Sequence, residues 1–386
     1  MANGYKGKKI LVLDGYGRQT PIVLQQLHDE GCVITTLNCS KYDCGYSSKY
    51  PADRLVYPET RHDREKLKEV LDREILSGKY DFVFPMLEPA TEVLLANREE
   101  YDKYTTIMCA PFESFIQACD KQKTMTACMK NGIPCPVTKT DEESIDKFIE
   151  KVGFPVVIKP RKGSGSVGFH ILKNREELDN ILKTVSIEDS VLQEFVPQTG
   201  RQYLVYMIYD GQHHCKAQIV AEKVRWYPLD GGTASFMQSV DRPDIIKNSV
   251  SLLDSIDWVG VAHIDLIEDP RSGVVKIMEI NGRMPASIKI FAPAKVPFVR
   301  QLLDCYSGQP VEDYRANEKA GYRIRYMQTD FLWLLKSPDR FRSKPSWFNF
   351  THAQDMIFSF RDPKPFFSYS ISHIRSYKED MEKRKR

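Results

Sequence analysis

In the first third of the chain, short apolar runs alternate with stripes of apolar residues at helical spacing. Residues 9–13, Lys-Ile-Leu-Val-Leu, read as a strand buried on both faces. The turn Asp14-Gly15-Tyr16-Gly17 leads into a helix over about 20–30, stopped by Gly31, and 32–37 form a second strand. A helix over about 64–76 carries Leu67, Val70, Leu71 and Ile75 on one face and ends at Gly78. Residues 82–85 are a further strand, followed by a helix near 91–100. Strands alternating with helices predict a parallel sheet covered on both faces.

After a helix near 121–131, the rigid stretch Gly132-Ile133-Pro134-Cys135-Pro136 marks a change. From there to about Gly282 strands and hairpins dominate, so a domain boundary falls in mid-chain. The length, 386 residues, suits two or three domains. A net charge of +3 gives no electrostatic footprint for nucleic acid. No apolar run approaches the ~20 residues that span a bilayer, and the first residues lack a signal-peptide pattern. The nine cysteines show no paired zinc spacing and read as reduced thiols. A cytoplasmic protein is expected.

Candidate chemistry begins at Gly15-x-Gly17. A dinucleotide reading fails because Thr20 stands at the third glycine position and Asn38 where an acidic ribose ligand should follow. A structural or substrate-facing turn is expected instead. Residues 153–169 place Lys159 at the tip of an apolar strand, before a loop with Gly163, Ser164, Gly165, Ser166 and Gly168. Such a loop can turn several N–H groups towards one anion, with Lys159 adding a point charge; an ordinary glycine hairpin has the same composition. The loop lacks the Gly-Lys-Ser/Thr of a P-loop.

A second signal comes from counting. Residues 261–268 and 274–281 flank the turn Asp269-Pro270-Arg271-Ser272-Gly273. Paired as a hairpin centred on Ser272, they place Asp265 opposite Glu279, with Asn281 and His263 on the same face. Carboxylates directly across a ladder repel unless a cation or proton lies between them. Asp, Glu and Asn offer hard oxygens suited to Mg²⁺, whereas His263 reads as a packing residue. The alternative is an edge hairpin with solvated acids. Between the two signals, Gln193-Glu194-Phe195-Val196 could offer an acid and adjoining backbone to a purine edge.

A lysine-tipped strand with a glycine loop, then Gln-Glu-Phe-Val, then Asp265 and Glu279-Ile280-Asn281-Gly282-Arg283, resembles the ATP-grasp superfamily. The resemblance covers about residues 1–310 and is strongest to its carbamoyl-phosphate-synthetase-like and D-aspartate-ligase-like carboxylate–amine ligase branch. Ser48-Lys49-Tyr50, Val56-Tyr57-Pro58 and Phe84-Pro85 are similar to N-terminal domains of that branch. It implies an α/β pre-ATP-grasp domain (1–115), an α+β ATP-grasp fold (116–310, lid about 132–195) and a mostly helical C-terminal extension (311–386). It also implies that Lys121 and Lys159 hold ATP phosphates beneath the glycine loop, and that Glu194, Phe195 and Val196 read adenine. Gln202 would face the ribose, where relatives usually carry glutamate. Asp265, Glu279 and Asn281 would bind Mg²⁺, with Mn²⁺ as an alternative. Arg283, Arg225 and Lys223 would act on the reacting groups, and residues 231–235 would form a mobile loop near the acceptor or an ordinary turn. Gly282 replaces a common proline, which is expected to loosen the turn.

The implied activity is an ATP-dependent ligase joining a small-molecule carboxylate to an amine, in cell-surface polymer or amino-acid conjugate synthesis. Alternatives are a kinase-like enzyme forming acyl or carbamoyl phosphate, and a non-catalytic ATP-binding assembly protein. The aromatic and basic residues after 311 read as a packed extension with a charged tail, or as a surface for a membrane or lipid-linked acceptor. A homodimer is compatible with all of these.

Overall fold

The computed structural model describes residues 4–163, 168–229, 232–349 and 353–373. Its first sheet has five parallel strands: β1 (Lys9–Val12), β2 (Val33–Asn38), β3 (Asp53–Val56), β4 (Phe82–Phe84) and β5 (Thr106–Ile107). They lie in the order β3-β2-β1-β4-β5. Ile10, Leu11 and Val12 are completely buried, as a strand covered on both faces requires. The helix Arg64–Ile75 is capped by Asp63, whose carboxylate accepts the Lys66 N–H, and it buries Leu67, Val70, Leu71 and Ile75. Gly15 has a packing role. Its N–H donates to the Leu37 carbonyl, and a Cβ there would lie 2.1 Å from Asn38 Oδ1.

A small antiparallel sheet follows: β6 (Val156–Pro160), β7 (His170–Leu172) and β8 (Ser190–Glu194), with β6 central. Phe148, Val156, Ile158, Leu172, Leu178 and Leu192 give it a separate core. The largest sheet runs β13-β12-β9-β10-β11-β14-β15. Its strands are β9 (Gln202–Tyr209), β10 (Cys215–Tyr227), β11 (Thr233–Ser239), β12 (Gly260–Glu268), β13 (Val275–Asn281), β14 (Arg323–Arg325) and β15 (Gln354–Asp355). Along β9 the side chains alternate between the two main cores: Tyr203, Val205, Met207 and Tyr209 enter one, Leu204, Tyr206 and Ile208 the other. No helix among the described residues is long and apolar enough to cross a membrane.

Two expectations change here. Residues 233–235 are not a loop: they open β11 inside the sheet, and Gly231 lies outside the described residues. The extension is not mainly helical either. It contributes β14 and β15 to the central sheet, beside the helix Met327–Lys336 and a helical stretch at 364–373.

The join is made by charge. Arg225 on β10 donates through Nε and Nη2 to the two Asp330 oxygens at 2.8 and 3.0 Å, and Arg325 Nε lies 3.1 Å from the same carboxylate. Exposure of these side chains is 1%, 0% and 3% for Arg225, Asp330 and Arg325. The Arg225 guanidinium also lies 4.2 Å from the Phe236 ring and 5.1 Å from that of Trp333. Arg225 is therefore a structural anchor, buried away from any substrate, and the expected catalytic role is withdrawn. Asp330→Asn leaves two guanidiniums buried without the carboxylate that pairs with both. It should lower stability by about 3–5 kcal/mol, seen as a lower urea midpoint; an unchanged midpoint would contradict the anchoring role.

Candidate functional site

The site is set by a register change in the β12–β13 hairpin. Near the turn, Leu266 pairs with Ile277, Ile267 with Lys276 and Glu268 with Val275. Beyond a bulge the partners are Asp265 with Glu279, Ile264 with Ile280 and His263 with Asn281. Met278 is the extra residue. A uniform register counted from Ser272 is thus one residue off at the turn and correct at the acids only because of the bulge.

Both carboxylates meet cations. Asp265 accepts from Lys223 Nζ at 2.9 Å through one oxygen and from Asn281 Nδ2 at 2.9 Å through the other. Burial alone would raise its carboxyl, but Lys223, with His263 and Arg283, brings it down to about 2. Glu279 lies 3.6 Å from Lys121 Nζ, which also donates to the Gly163 carbonyl at 2.6 Å. Lys121 begins the helix Lys121–Lys130, capped by Asp120; Arg161 Nε in turn holds both Asp120 oxygens at 3.1 Å. Lys159, near the end of β6, is pushed down to about 8 by burial and by the like charge of Lys121, against the pull of Glu279.

Arg283 donates to Asn281 Oδ1 at 3.2 Å, and its Nε lies 3.9 Å from Glu88. Glu88 starts the helix Glu88–Ala96 of the first domain, and its carboxyl is raised by burial and by Glu279. Sequence reasoning missed it, since one acid before Pro89 carries no motif. Gly282 does not merely loosen the turn: a Cβ there would lie 3.0 Å from the Phe115 ring, so glycine lets the helix Phe112–Cys119 approach. His263 is 7% exposed, stacks on Tyr206 at 5.2 Å and is pushed down to about 4 by burial. It remains neutral at pH 7.

The remaining expected residues divide. Gln202 Oε1 accepts from Lys223 at 3.5 Å, which places it beside the acids. Gly163 and Gly168 have φ of +104° and +70°, and a Cβ at 168 would meet the Pro160 ring at 2.9 Å. Ser164, Gly165 and Ser166 lie outside the described residues. The Glu194 carboxylate is engaged already: Lys276 Nζ at 2.5 Å, the Val137 N–H at 3.0 Å and Arg271 at 3.2 Å donate to it. It braces the small sheet against the hairpin. The Phe195 N–H donates to the Pro155 carbonyl, and the Val196 carbonyl accepts from Gln198.

Residues 118–287 match the family model described as an ATP-grasp domain. This segment is an ATP-grasp domain. It contains Lys121, Lys159, Asp265, Glu279, Asn281 and Arg283, whereas Glu88 and the extension lie outside it. The chain is 23% identical over 336 residues to the carbamoyl phosphate synthase large chain of Myxococcus xanthus, covering 80% of this chain and 28% of that one. It is 24% identical over 218 residues to D-aspartate ligase of Enterococcus faecium, covering 51% of each. The chain spans between 19% and 56% of the length of such curated relatives. A biotin carboxylase from Campylobacter jejuni shares the fold at a TM-score of 0.69 and 14% identity, over 83% of this chain and 75% of that one.

The Glu194 brace in the ATP-grasp domain is testable without turnover. Glu194→Ala removes the acceptor of the Val137 N–H and the partner of Lys276. Amide exchange in the peptide spanning 134–139 should accelerate at least tenfold, read by hydrogen–deuterium exchange. Unchanged protection there would contradict the bracing role.

Proposed function

We propose that the protein is an ATP- and Mg²⁺-dependent ligase that activates a carboxylate as its acyl phosphate for attack by an amine. The observation that carries this reading is the Asp265–Glu279 pair, opposed across the ladder and bordered by Asn281, Lys121, Lys159 and Lys223. Among the described residues no three His, Cys, Asp or Glu are placed so that they alone could hold a metal ion. The available donors are two carboxylates and one amide oxygen, a hard set that fits Mg²⁺ together with substrate phosphates. Asp265, Glu279 and Asn281 would hold the ion, which when bound supplies charge to the transferring phosphoryl group.

The chain's own residues do the rest. Lys223 keeps Asp265 ionised, while Lys121 and Lys159 offset negative charge on the phosphates. Lys121 also fastens the Gly163 end of the glycine loop to the helix that begins the domain. Arg283, held by Asn281 on one side and facing Glu88 on the other, presents a guanidinium to the substrate carboxylate and then to the acyl phosphate. No side-chain nucleophile is needed, because the amine attacks directly. A second reading, release of an acyl or carbamoyl phosphate, is favoured by the similarity to carbamoyl phosphate synthase. Hydroxylamine tests the carboxylate activation common to both readings, since it traps an activated carboxylate as a hydroxamate.

With a panel of amino acids and other small carboxylates, ADP release should accompany hydroxamate formation. Glu279→Gln should lower both at least a hundredfold with the circular dichroism spectrum retained; full activity in that variant would remove Glu279 from the metal set. The extension would in addition touch an anionic bilayer. Phe341 is 75% exposed among the exposed Lys336, Arg340, Arg342 and Lys344. The protein should co-sediment with phosphatidylserine vesicles at low salt, and Phe341→Ser should reduce the bound fraction several-fold. Absence of binding by the intact chain would discard this contact.

A further inference from the structure

Two arginines at the carboxyl edge of the first sheet form no ion pair among the described residues. Arg18 lies in the loop after β1, and Arg61 ends the 3₁₀ turn Pro58–Arg61 after β3. Among the described residues neither makes an ion pair or donates a hydrogen bond; both instead lie over aromatic rings. The Arg18 guanidinium is 4.2 Å from the Tyr326 ring centroid, and that of Arg61 is 4.8 Å from Tyr16. Tyr326 belongs to the extension, and its hydroxyl donates to that of Tyr369 at 3.3 Å.

The two cations converge. Both act electrostatically on the Tyr369 hydroxyl, and Arg18 acts also on Tyr206, whose ring packs on His263 beside Asp265. The nearby acids are engaged elsewhere, although Asp43 still attracts Arg61. One Asp14 oxygen accepts the Met86 and Leu87 N–H groups, and one Asp43 oxygen accepts those of Cys39 and Ser40. Burial raises both carboxyls, Asp14 to about 7. A guanidinium stacked on a ring keeps the N–H donors in its plane free, and that fork matches a carboxylate or phosphate. Arg18 is partly buried whereas Arg61 is exposed, and a partly buried cation without a counter-ion is costly unless a ligand provides one. The carboxyl ends of strands, where the order β2-β1-β4 reverses direction, form the crevice in which such sheets take ligands.

We propose that Arg18 and Arg61, walled by Tyr326 and Tyr369, bind a second anionic group, carboxylate or phosphate, on a substrate whose reacting end lies at Arg283. The extension thereby completes the specificity pocket of the first domain. The identity of the bound molecule as a substrate rests on the ligase reading; the anion subsite itself does not.

The test uses the full chain with ADP and Mg²⁺, titrated calorimetrically with aspartate against asparagine, glutamate against glutamine, succinate against succinamate, and inorganic phosphate. At least one anion should bind ten times more tightly than its amide counterpart, with phosphate competing for the same site. Arg18→Met and Arg61→Met should each weaken that binding at least tenfold, and Arg18→Lys less, with unchanged circular dichroism. In the ADP-release assay, Arg18→Met should raise KM for that substrate tenfold and leave kcat and the KM for ATP nearly unchanged. Equal binding of acids and amides, no anion binding by the wild-type chain, or wild-type affinity in both methionine variants would overturn the subsite. Retained anion binding without any hydroxamate would overturn the ligase reading and leave the subsite standing.

Discussion

Two carboxylates facing each other across one ladder organise this molecule. In a sheet, like charges directly opposite are destabilising, so Asp265 and Glu279 demand positive charge, and the chain delivers it from separate places. Lys223 comes from β10, beyond β9 in the same sheet, Lys121 from the helix that opens the ATP-grasp domain, and Lys159 from the small sheet. Arg283 follows the hairpin itself and turns towards Glu88 of the first domain. The pieces of the fold meet where that repulsion must be compensated. The same arrangement leaves concentrated positive charge beside two hard-oxygen donors, the electrostatic setting that a transferring phosphoryl group requires.

The bulge at Met278 is what makes the pair. Without it the turn-proximal register would continue, Asp265 would face Met278, and Glu279 would project from the opposite face. The acid pair was legible in the sequence because the turn, the alternation and the two acids suggested a hairpin with the correct outcome. The bulge was not, since an extra residue in a strand leaves no compositional trace when that residue is an ordinary apolar one. The five strands of the first sheet were similarly legible where apolar runs were long, as at Ile10–Leu13 and Phe82–Phe84. The edge strands Asp53–Val56 and Thr106–Ile107 carried too little pattern to be seen.

Roles that depend on partners distant in the chain were the ones missed. Arg225 looked like a central-strand base near the substrate, but its carboxylate partner Asp330 stands 105 residues later and pulls it into a buried pair. Glu194 looked free to recognise a base, but Lys276 and Arg271 reach it from the hairpin. The extension read as helical because its aromatic clusters fit a packed helix; short strands added to an existing sheet edge need almost no periodicity of their own. Arg225 holds the extension to the sheet, and Tyr326 from that same extension stands against Arg18 at the carboxyl edge of the first sheet.

The central claim is that Asp265 and Glu279 form a divalent-cation site used with nucleotide phosphates. Calorimetric titration of ADP in the presence and absence of Mg²⁺, on the wild-type chain and on the double variant Asp265→Asn with Glu279→Gln, tests it most directly. Mg²⁺ should tighten ADP binding to the wild-type chain at least tenfold and leave the double variant unaffected. An equal Mg²⁺ effect in both proteins would contradict the account.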